Sequence, residues 1–388
     1  MIQPPLRVLF VTHAFPRHAG DAAGAFVLAL AQAVQSQGVE VLVLAPSATG
    51  LAPTDVIAGV AVQRYRYAPR AWETLAYAGT MAEQVSGSPR GKLALALMLV
   101  RGRRAVHATL AAFKPHVMHA HWWFPSALMA GGQRVPMLVT LHGSDVRLAG
   151  GAIARALFRR VAGQATALYA VSGWLARLAR EALDGRTVET APMPAATALF
   201  VPSDDTARRD DRMLFVGRLN AQKGLDDLLQ AMARARRAWT LDIVGDGPDR
   251  ELLSRRARDL GIEDRITWFG HLPQTELPAL YSRSAALVIP STDEGLGLVG
   301  VEAALCETPS IAYASGGLAD VVIDGRTGWL VPAGDVAALA HAIDDAVDRP
   351  HKSRTYGAAA RERALATFSP AAVGARYRAA YDAALRNA

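Results

Sequence analysis

Residues 291–309, which read STDEGLGLVGVEAALCETP, combine a glycine turn with two glutamates. Gly297 lies in a predicted tight loop, and the apolar run over 298–305 predicts the helix that follows. A helix that begins in this way presents free N–H groups and the positive end of its dipole, which suits phosphate. Glu294 and Glu302 bracket the same turn, and their charges would repel a phosphate that carried no other groups.

A nucleotide sugar suits such a site, because it carries ribose hydroxyls on one side of its pyrophosphate and sugar hydroxyls on the other. Glu302 on the predicted helix could accept hydrogen bonds from the ribose diol, and Glu294 on the loop could reach the sugar ring. Charge-assisted hydrogen bonds to hydroxyls offset part of the cost of placing carboxylates near anions. The alternative is that the two glutamates are ordinary solvated acids, one on a loop and one on a helix.

A second candidate element is GRLNAQKG, residues 217–224, which directly follows a predicted strand. Arg218 and Lys223 are five residues apart across this loop, so both could converge on one diphosphate. Arginine offers a planar fork of donors and lysine a point charge, a combination that fits pyrophosphate. Two idle surface cations are the alternative interpretation.

Histidines follow two further predicted strands. His142 lies in TLHGSD, residues 140–145, where it could donate to or accept from a sugar hydroxyl or a phosphate. His119 and His121 lie two residues apart, but no third residue with suitable spacing completes a metal site. We therefore expect a core or acceptor-lining role for these two histidines and no bound metal.

The elements that must position these residues alternate between short apolar strands and amphipathic helices. In the first half, strands are predicted within 7–13, 40–46, 116–121, 137–143 and 167–173, with a helix over 25–37. In the second half, strands are predicted within 212–219, 239–247, 266–272, 286–291, 309–315 and 328–333, with helices over 224–236 and 249–261. This alternation predicts parallel sheets with helices on both faces, an α/β class.

The alternation breaks at 191–211, where Pro, Ser and Asp predominate, and this segment is the predicted linker. We therefore predict two doubly wound domains, residues 1–200 and 201–369. In such sheets ligands bind beyond the carboxyl ends of the strands, so the expected site is a cleft between the two domains.

The net charge of +7 is distributed unevenly along the chain. Residues 1–200 contain 19 Lys and Arg against 9 Asp and Glu, whereas the remainder contains 23 against 26. The first half should therefore attract anions such as lipid head groups or phosphorylated acceptors. No nucleic-acid-binding motif is present, so nucleic acid is not an expected partner.

Membrane contact is an open question at the sequence level. No segment has the pattern of a secretory signal or a membrane span, which predicts a cytoplasmic protein. Residues 92–113 combine apolar positions with basic residues at 101, 103 and 104. They predict either a helix on the inner membrane face or an ordinary core-facing helix, and the positive first half favours the membrane slightly. The single cysteine, Cys306, has apolar neighbours and is predicted to be buried and inert.

Taken together, these motifs resemble the retaining glycosyltransferases of the GT-B fold, family 4, also called group 1 glycosyltransferases. The family hallmark is two glutamates separated by seven residues, which EGLGLVGVE (294–302) matches. VGRLNAQKG, LDIVGDGP, ITWFGHL and GGLADVVIDGRTGWLVPAGD follow the family order. The resemblance covers the second half almost continuously and the first half through the glycine loop at 20–24 and TLHGSD.

The resemblance implies a GT-B fold with two Rossmann-like domains facing across a cleft. Residues 1–200 would bind the acceptor and 201–369 the nucleotide-sugar donor. Residues 370–388 would form a last helix that packs back on the N-terminal domain. It also implies retention of anomeric configuration without a divalent metal or another cofactor.

The resemblance also assigns roles to individual residues. Arg218 and Lys223 would bind the diphosphate, Glu302 the ribose and Glu294 the transferred sugar. Backbone at Gly297 and Leu298 would hold the distal phosphate, and Gly24 would approach it from the first domain. His142 would contact the sugar near the reacting carbon, so that His142 and Glu294 form the catalytic pair.

Three positions depart from the family pattern. Leu296 replaces a usual Phe, Glu307 replaces a usual Gly, and Asp320 replaces a usual Glu. The last two affect the expected details of the donor pocket.

The predicted function is transfer of a hexose from a UDP- or GDP-sugar to a hydroxyl of a lipid-linked or glycan acceptor, in cell-envelope or polysaccharide synthesis. The alternatives are a nucleotide-sugar epimerase of related architecture and a non-catalytic nucleotide-sugar-binding protein. A phosphorylase would need a lysine-bound pyridoxal phosphate, for which the few lysines offer no evident site.

Overall fold

The computed structural model describes residues 5–21, 23–77, 81–203 and 208–386. The chain divides into two compact units. Unit 1 comprises Met1–Pro194 with Pro370–Ala388, and unit 2 comprises Ala195–Ser369.

Unit 1 is built on an eight-stranded sheet flanked by helices. Its strands are β1 (Leu6–Val11), β2 (Val39–Pro46), β3 (Thr54–Ile57), β4 (Val60–Tyr65), β5 (Val117–His121), β6 (Met137–Leu141), β7 (Ala167–Ala170) and β8 (Glu189–Thr190). They are arranged in the order β3-β4-β2-β1-β5-β6-β7-β8. The helices before the linker are α1 (Ala25–Gln35), α2 (Met81–Gly87), α3 (Pro89–Phe113), α4 (Leu128–Ala130), α5 (Ser144–Leu148), α6 (Ala152–Ala162) and α7 (Gly173–Ala182). Strands β5 and β6 are buried along their whole length, as central strands of a parallel sheet usually are, although they include the polar residues His119, His121 and Thr140.

The outer edge of this sheet differs from the sequence prediction. Strands β3 and β4 form an antiparallel hairpin, although the sequence analysis assigned no strand to this stretch. Ala58 and Gly59 connect them with φ values of 47° and 84°. Positive φ at both central residues is the backbone of a tight hairpin turn, but Ala-Gly is a weaker signal for it than Asn-Gly.

Unit 2 is built on a six-stranded parallel sheet. Its strands are β9 (Arg209–Val216), β10 (Thr240–Val244), β11 (Ile266–Gly270), β12 (Ser284–Ile289), β13 (Ser310–Tyr313) and β14 (Gly328–Val331), in the order β11-β10-β9-β12-β13-β14. Its helices are α8 (Leu225–Arg234), α9 (Arg250–Asp259), α10 (Leu277–Arg283), α11 (Leu298–Leu305), α12 (Leu318–Val321), α13 (Val336–Asp348) and α14 (Pro350–Phe368). Because β9, β12 and β13 are neighbours, the loops that follow them lie at one edge of the sheet.

The boundary between the units falls between Pro194 and Ala195, rather than after residue 200. The N–H of Ala195 donates to the carbonyl of Phe368 (2.8 Å) in unit 2. Phe200 is fully buried, with its ring centroid 6.0 Å from that of Tyr281. These contacts attach the first half of the predicted linker to unit 2, and residues 204–207 of that linker lie outside the described residues.

The last helix, α15 (Pro370–Arg386), belongs to unit 1. A Cβ added at Gly374 would lie 2.3 Å from the carbonyl oxygen of Ala33, so a glycine lets α15 approach α1 closely. Tyr377 and Tyr381 are fully buried, and their hydroxyls reach the strands β5 and β6.

Helix α3 packs one narrow face on unit 1 and leaves the other in solvent. The buried face consists of Gly91, Ala94, Met98, Gly102, Val106 and Thr109. Leu93 and Val100 on the outer face are 50% and 52% exposed. Along the described part of the chain, no helix combines the length and the apolar character that crossing a membrane requires.

Candidate active site

The predicted site residues fall into two sets, one in each unit. Gly24 and His142 lie in unit 1, and the other six, Arg218, Lys223, Glu294, Gly297, Leu298 and Glu302, lie in unit 2. Within each unit, the residues lie beyond the carboxyl ends of parallel strands or on the helix that follows, where open α/β sheets bind ligands. The strands concerned are β9 and β12, which are neighbours, in unit 2, and β1 and β6, which flank β5, in unit 1.

In unit 2, Gly297 directly precedes Leu298, the first residue of helix α11. Gly297 has φ of 84°. A Cβ at this position would lie 2.5 Å from Cδ2 of Leu318, so the loop needs glycine both for its backbone and for its packing. The first N–H groups of α11 are not used within the helix and carry the positive end of its dipole. The start of α11 is therefore suited to an anion.

The loop after β9 brings Lys223 to the loop after β12. Nζ of Lys223 lies 2.7 Å from Oε2 of Glu294, and the two side chains are 22% and 19% exposed. Asn220 supports this position because its side chain accepts a hydrogen bond from the N–H of Lys223 (3.3 Å). Arg218 is exposed on the same loop. The structure thus brings together a cation and a carboxylate that the sequence places 71 residues apart.

Backbone contacts fix the two loops against each other. The N–H of Thr292 donates to the carbonyl of Gln222 (3.0 Å). Gly224 has φ of 66°, and a Cβ there would lie 2.0 Å from the carbonyl oxygen of Pro290. The position of Lys223 relative to Glu294 therefore depends on a glycine that nothing larger can replace without moving backbone.

The loop after β13 supports Glu294 from the other side. The N–H of Gly317 donates to the carbonyl of Glu294 (2.7 Å). A Cβ added at Gly316 would lie 2.3 Å from the same oxygen. Two successive glycines therefore permit the close approach that orients the backbone of Glu294.

Glu302 lies on α11, eight residues after Glu294 on the preceding loop, and its carboxylate is held by two side chains. Tyr281 donates its hydroxyl to Oε2 (3.0 Å), and Nε2 of Gln274 donates to Oε1 (3.1 Å). Burial raises the pKa of Glu302 to about 7, and the two hydrogen bonds offset part of that effect. Its carboxylate is thus oriented by neighbours before any ligand arrives.

In unit 1, Gly24 caps the start of α1 with φ of 68°. A Cβ there would lie 2.4 Å from the carbonyl oxygen of Ala14, so the glycine loop after β1 folds tightly onto itself. Two residues later, the ring centroid of Phe26 lies 5.0 Å from that of His142. The structure therefore brings the glycine loop and His142 to one place in unit 1.

Aromatic rings surround His142. The ring centroid of Trp122 lies 4.4 Å from that of His142, and Nδ1 of His121 lies 3.1 Å from Nε2 of His142. Burial lowers the pKa of His121 to about 3 and that of His142 well below its usual range. Both rings are therefore neutral at physiological pH.

His119 and His121 are fully buried core residues of β5, which agrees with the first of the two roles predicted for them. Among the residues that the structure describes, no three His, Cys, Asp or Glu side chains are grouped as metal ligands would be. Cys306 is also buried, and burial raises the pKa of its thiol to about 12, which keeps it protonated and inert.

The sequence analysis missed the residues that hold the predicted ones. Tyr281 and Gln274 precede Glu302 by more than twenty positions, and no motif marks them. Phe26 and Trp122 were not assigned to His142, although each lies just beyond a recognised loop or strand. The pairing of adjacent strands β5 and β6 could have indicated that His121 lies near His142. The partner of His121 across the sheet is Thr140, two residues before His142.

The three departures from the family pattern have different surroundings. Leu296 is 7% exposed and belongs to the core. Glu307 adopts φ of 57°, a left-handed conformation that explains why glycine is usual at this position. The carbonyl of Asp320 accepts a hydrogen bond from Arg363 (2.8 Å), a contact that does not depend on its side chain.

Comparisons with known proteins agree with this architecture. The family model described as Glycosyl transferases group 1 matches residues 203–363, and the model described as Glycosyltransferase Family 4 matches residues 23–194. A glycogen synthase from Mycobacterium tuberculosis is 31% identical over 98% of this chain and 95% of its own length. A GDP-mannose-dependent alpha-(1-6)-phosphatidylinositol monomannoside mannosyltransferase from Mycolicibacterium smegmatis is 32% identical over 65% of this chain and 71% of its own.

Solved structures show the same fold. Sucrose-phosphate synthase from Thermosynechococcus elongatus has a TM-score of 0.78, with 24% identity over 99% of this chain and 100% of its own. Anabaena HepE in complex with UDP-glucose has a TM-score of 0.68, with 17% identity over 97% of this chain and 100% of its own. The expected GT-B fold is thereby confirmed.

Proposed function

The chain belongs to the group 1 glycosyltransferases of the GT-B fold, and from this we propose that it moves a hexose from a UDP- or GDP-sugar to an acceptor hydroxyl with retention of anomeric configuration. The ion pair between Lys223 and Glu294 at the start of α11 is the observation that carries the proposal. It places the Lys223 ammonium group, which can bind phosphate, beside the Glu294 carboxylate, which can accept hydrogen bonds from sugar hydroxyls.

The proposed diphosphate site consists of Lys223, Arg218 and the backbone at Gly297 and Leu298. When a diphosphate binds, it replaces Glu294 as the ion-pair partner of the Lys223 ammonium group. The carboxylate of Glu294 is then available to accept hydrogen bonds from hydroxyl groups. Glu294 then accepts hydrogen bonds from the transferred sugar. Glu302 accepts hydrogen bonds from the ribose diol, with Tyr281 and Gln274 orienting its carboxylate.

In the proposed reaction, the bond between the anomeric carbon and the diphosphate oxygen breaks, and a bond to the acceptor oxygen forms on the same face of the sugar. The acceptor proton passes to the leaving phosphate oxygen, so no strong protein base is needed. Lys223 and Arg218 stabilise the charge on the departing diphosphate, which is the task that a divalent metal performs in other enzymes. His142 is proposed to contact the sugar near the reacting carbon.

The proposed acceptor is a glycan or a lipid-linked hydroxyl compound, in cell-envelope or polysaccharide synthesis. The names of the two relatives, a glycogen synthase and a phosphatidylinositol monomannoside mannosyltransferase, support these two classes. For a lipid-linked acceptor, the outer face of α3 is the proposed contact with an anionic membrane. It combines exposed Leu93 and Val100 with exposed Lys92, Arg101 and Arg104, in the half of the chain with excess positive charge.

The first test is a thermal-shift and nucleotide-release panel of UDP-, GDP- and ADP-sugars in the presence of EDTA. A donor at 100 times its dissociation constant should stabilise the protein by about 2.7 kcal/mol, or roughly 5–10 °C for a unit near 200 residues. NMR of the product anomeric proton then decides between retention and inversion. Absence of any shift would overturn the donor site, and loss of turnover in EDTA would overturn metal independence.

The second test separates a transferase from a binding protein. Glu294→Gln should abolish turnover while leaving nucleotide affinity within about threefold, because it removes a sugar contact and not a phosphate contact. Glu251→Gln, at an exposed position of α9, is the matched control and should retain full turnover. Equal activity of the two variants would contradict the role of Glu294.

The membrane contact is tested separately by co-sedimentation with vesicles of phosphatidylcholine alone or with phosphatidylglycerol. The double variant Leu93→Ser and Val100→Ser should reduce binding to the anionic vesicles. Leu252→Ser, at a 60% exposed position of unit 2, is the control and should bind as the parent chain does. Equal binding by all three proteins would exclude α3 as the contact.

A further inference from the structure

We propose that the first residues of unit 2 position the donor site, because Phe200 and Arg208 hold Tyr281, whose hydroxyl orients Glu302. Phe200 and Arg208 are then positioning residues, since neither is a proposed contact of the ligand. Only the consequence for ribose binding rests on the proposed function. The placement of the Tyr281 hydroxyl is a property of the ligand-free protein and can be measured without a nucleotide.

Phe200 and Tyr281 form a buried aromatic pair. Both residues are fully buried, and their ring centroids lie 6.0 Å apart with an angle of 68° between the planes. This edge-to-face arrangement depends on the direction of both rings, and an aliphatic side chain does not reproduce it. Phe200 therefore limits the positions that the Tyr281 ring can adopt.

Arg208 reaches the backbone of Tyr281 through Thr308. Nη2 of Arg208 donates to the hydroxyl oxygen of Thr308 (3.2 Å), and that hydroxyl donates to the carbonyl of Tyr281 (2.7 Å). The next residue, Ser282, is also held from the start of unit 2, because its Oγ accepts a hydrogen bond from the N–H of Ser203 (3.0 Å). The first residues of unit 2 thus contact Tyr281 at its ring and support it at its backbone.

The Tyr281 ring ends at the candidate site. Its hydroxyl donates to Oε2 of Glu302 at a distance of 3.0 Å. Because the ring is rigid, any tilt of the ring moves this hydroxyl, and a hydrogen bond weakens steeply as its alignment is lost. The orientation of the Glu302 carboxylate therefore depends on the packing around Tyr281.

Glu302 depends strongly on this hydrogen bond. In the described part of the chain, its carboxylate accepts from two side chains, Tyr281 and Gln274, and Gln274 donates to Oε1 (3.1 Å). Burial raises the pKa of Glu302 to about 7, and in such surroundings a hydrogen bond to a charged group is stronger than in water. Displacement of the Tyr281 hydroxyl should therefore leave the charged carboxylate less well oriented for the ribose diol.

The expected consequence is confined to the ribose. Phe200 is fully buried, so its effect on nucleotide binding passes through Tyr281 and Glu302. The proposed diphosphate contacts, at Lys223 and at the start of α11, do not involve this path. A change at Phe200 should therefore weaken recognition of the ribose hydroxyls and leave recognition of the diphosphate unchanged.

The first test follows the hydroxyl proton of Tyr281 in the ligand-free protein labelled with ¹³Cζ-tyrosine, at pH 8, where most of Glu302 is charged. Its exchange with water is measured from the hydrogen–deuterium shift of the ¹³Cζ signal, which is identified by its loss in Tyr281→Phe. We expect slow exchange in the wild-type protein and exchange about tenfold faster in Phe200→Leu. Phe368→Leu, at a similarly buried position of unit 2, is the control and should leave the rate unchanged. An unchanged rate in Phe200→Leu would refute the positioning role.

The second test compares UDP and GDP with their 2′-deoxy forms by calorimetry at the same pH. The wild-type protein should bind the ribonucleotide about tenfold more tightly than its 2′-deoxy form, because Glu302 accepts from the missing hydroxyl. Phe200→Leu should lower this ratio about three- to tenfold and change the affinity for the 2′-deoxy form less than about twofold. A general loss of structure would weaken both nucleotides alike, and that outcome, or the wild-type ratio, would overturn the proposal.

Arg208→Met is the second variant and does not remove a core side chain, since Arg208 is half-buried. It should lower the same ratio about threefold, whereas Arg209→Met, at an exposed position paired with Asp211, should keep the wild-type ratio. Equal ratios in the Arg208 and Arg209 variants would exclude Arg208 from the positioning path.

A double-mutant cycle identifies the route of the effect. Phe200→Leu should not lower the ratio further in a protein that already carries Tyr281→Phe, because the hydroxyl that Phe200 positions is absent there. Additive losses in the double variant would show that Phe200 acts by another route.

Failure of the proposed function gives a different result. If no nucleotide binds, or if the wild-type protein does not distinguish the 2′-deoxy form, the ribose role of Glu302 falls. Faster exchange of the Tyr281 hydroxyl in Phe200→Leu would still support the inference about its positioning.

Discussion

At the scale of single residues, Glu302 is the site residue whose ionisation depends most on the fold. Burial raises its pKa to about 7, above the ordinary value near 4.5. The folded state therefore binds this proton more tightly than the unfolded state does. The resulting contribution to stability is fully present below about pH 4.5 and is lost as the pH rises through 7.

Glu302→Gln should therefore stabilise the ligand-free protein at pH 8 and weaken donor binding at the same pH. The neutral amide avoids the cost of a buried charge, and we expect a gain of about 1–3 kcal/mol relative to wild type at pH 8 that disappears near pH 4.5. Loss of a charged acceptor for the ribose diol should weaken nucleotide binding by about 10- to 100-fold. Denaturant titrations at pH 5 and pH 8, with calorimetric binding of the donor, measure both effects.

Glu276→Gln is the control for this prediction, because Glu276 is exposed in the same unit and should give equal stability differences at both pH values. A Glu302→Gln variant whose stability relative to wild type did not change with pH would show that Glu302 titrates normally.

At the scale of elements, the glycine that joins the loop 217–224 to helix α8 is required for two separable reasons. Gly224 has φ of 66°, and a Cβ there would lie 2.0 Å from the carbonyl oxygen of Pro290. Gly261 has nearly the same φ, 65°, but a Cβ there would meet nothing within 4 Å. Comparing alanine variants at Gly224 and Gly261 therefore distinguishes the cost of backbone strain from the cost of steric overlap.

Gly261→Ala should cost about 1 kcal/mol, the strain of a left-handed alanine, whereas Gly224→Ala should cost about 3 kcal/mol or more. Gly224→Ala should also weaken nucleotide binding, because the displaced loop carries Lys223. Equilibrium unfolding and donor titration of both variants test this expectation. Equal losses of stability in the two variants would mean that the contact with Pro290 relaxes without cost.

At the end of helix α11, a substitution to glycine should stabilise the protein. Glu307 follows this helix with φ of 57°, where a side chain is strained and glycine is not. Glu307→Gly should raise stability by up to about 1 kcal/mol, since the relief of strain exceeds the extra entropy of glycine in the unfolded chain. Glu307→Ala, which keeps the strain, is the control. A glycine variant no more stable than the alanine variant would contradict this account.

The elements were predictable from sequence to different degrees. Apolar runs followed by glycine loops identified β1, β6, β9 and β12, and with them the loops that carry the candidate site. The hairpin of β3 and β4 was missed because Ala58 and Gly59 give a weak turn signal. The side chains around Glu302 were missed because the contact depends on the packing of α10 and its preceding turn on α11, which local patterns do not encode.

At the scale of the whole molecule, the chain crosses between its two units twice. Residues 195–203 join unit 2 through backbone and ring contacts, and α15 returns to unit 1 after α14 ends at Phe368. The alternation of strands and helices predicted two domains, but it could not place the boundary at Pro194. The decisive contacts link residues that are far apart in sequence, such as Ala195 and Phe368.

Unit 1 is therefore completed by the last residues of the chain. A protein that ends at Ser369 should lose stability in unit 1 and not in unit 2. Removal of α15 deletes Tyr377 and Tyr381, which are both fully buried, and leaves His119 and Thr140 without the hydroxyls that they contact. Loss of each buried aromatic side chain costs about 3–5 kcal/mol, so the loss of both is comparable to the whole free energy of unfolding of a domain, about 5–15 kcal/mol.

Hydrogen exchange measured by mass spectrometry should show lost protection in β1, β5 and β6 of the truncated protein, with unchanged protection in β9, β12 and β13. Tyr381→Phe in the full-length chain is the graded control, since it removes one hydroxyl and should cost only about 1–2 kcal/mol within unit 1. Unit 2 retains Lys223, Glu294 and Glu302, so its protection should still increase when the donor nucleotide is added. Equal loss of protection in both units would show that α15 stabilises the chain as one cooperative body and not as part of unit 1.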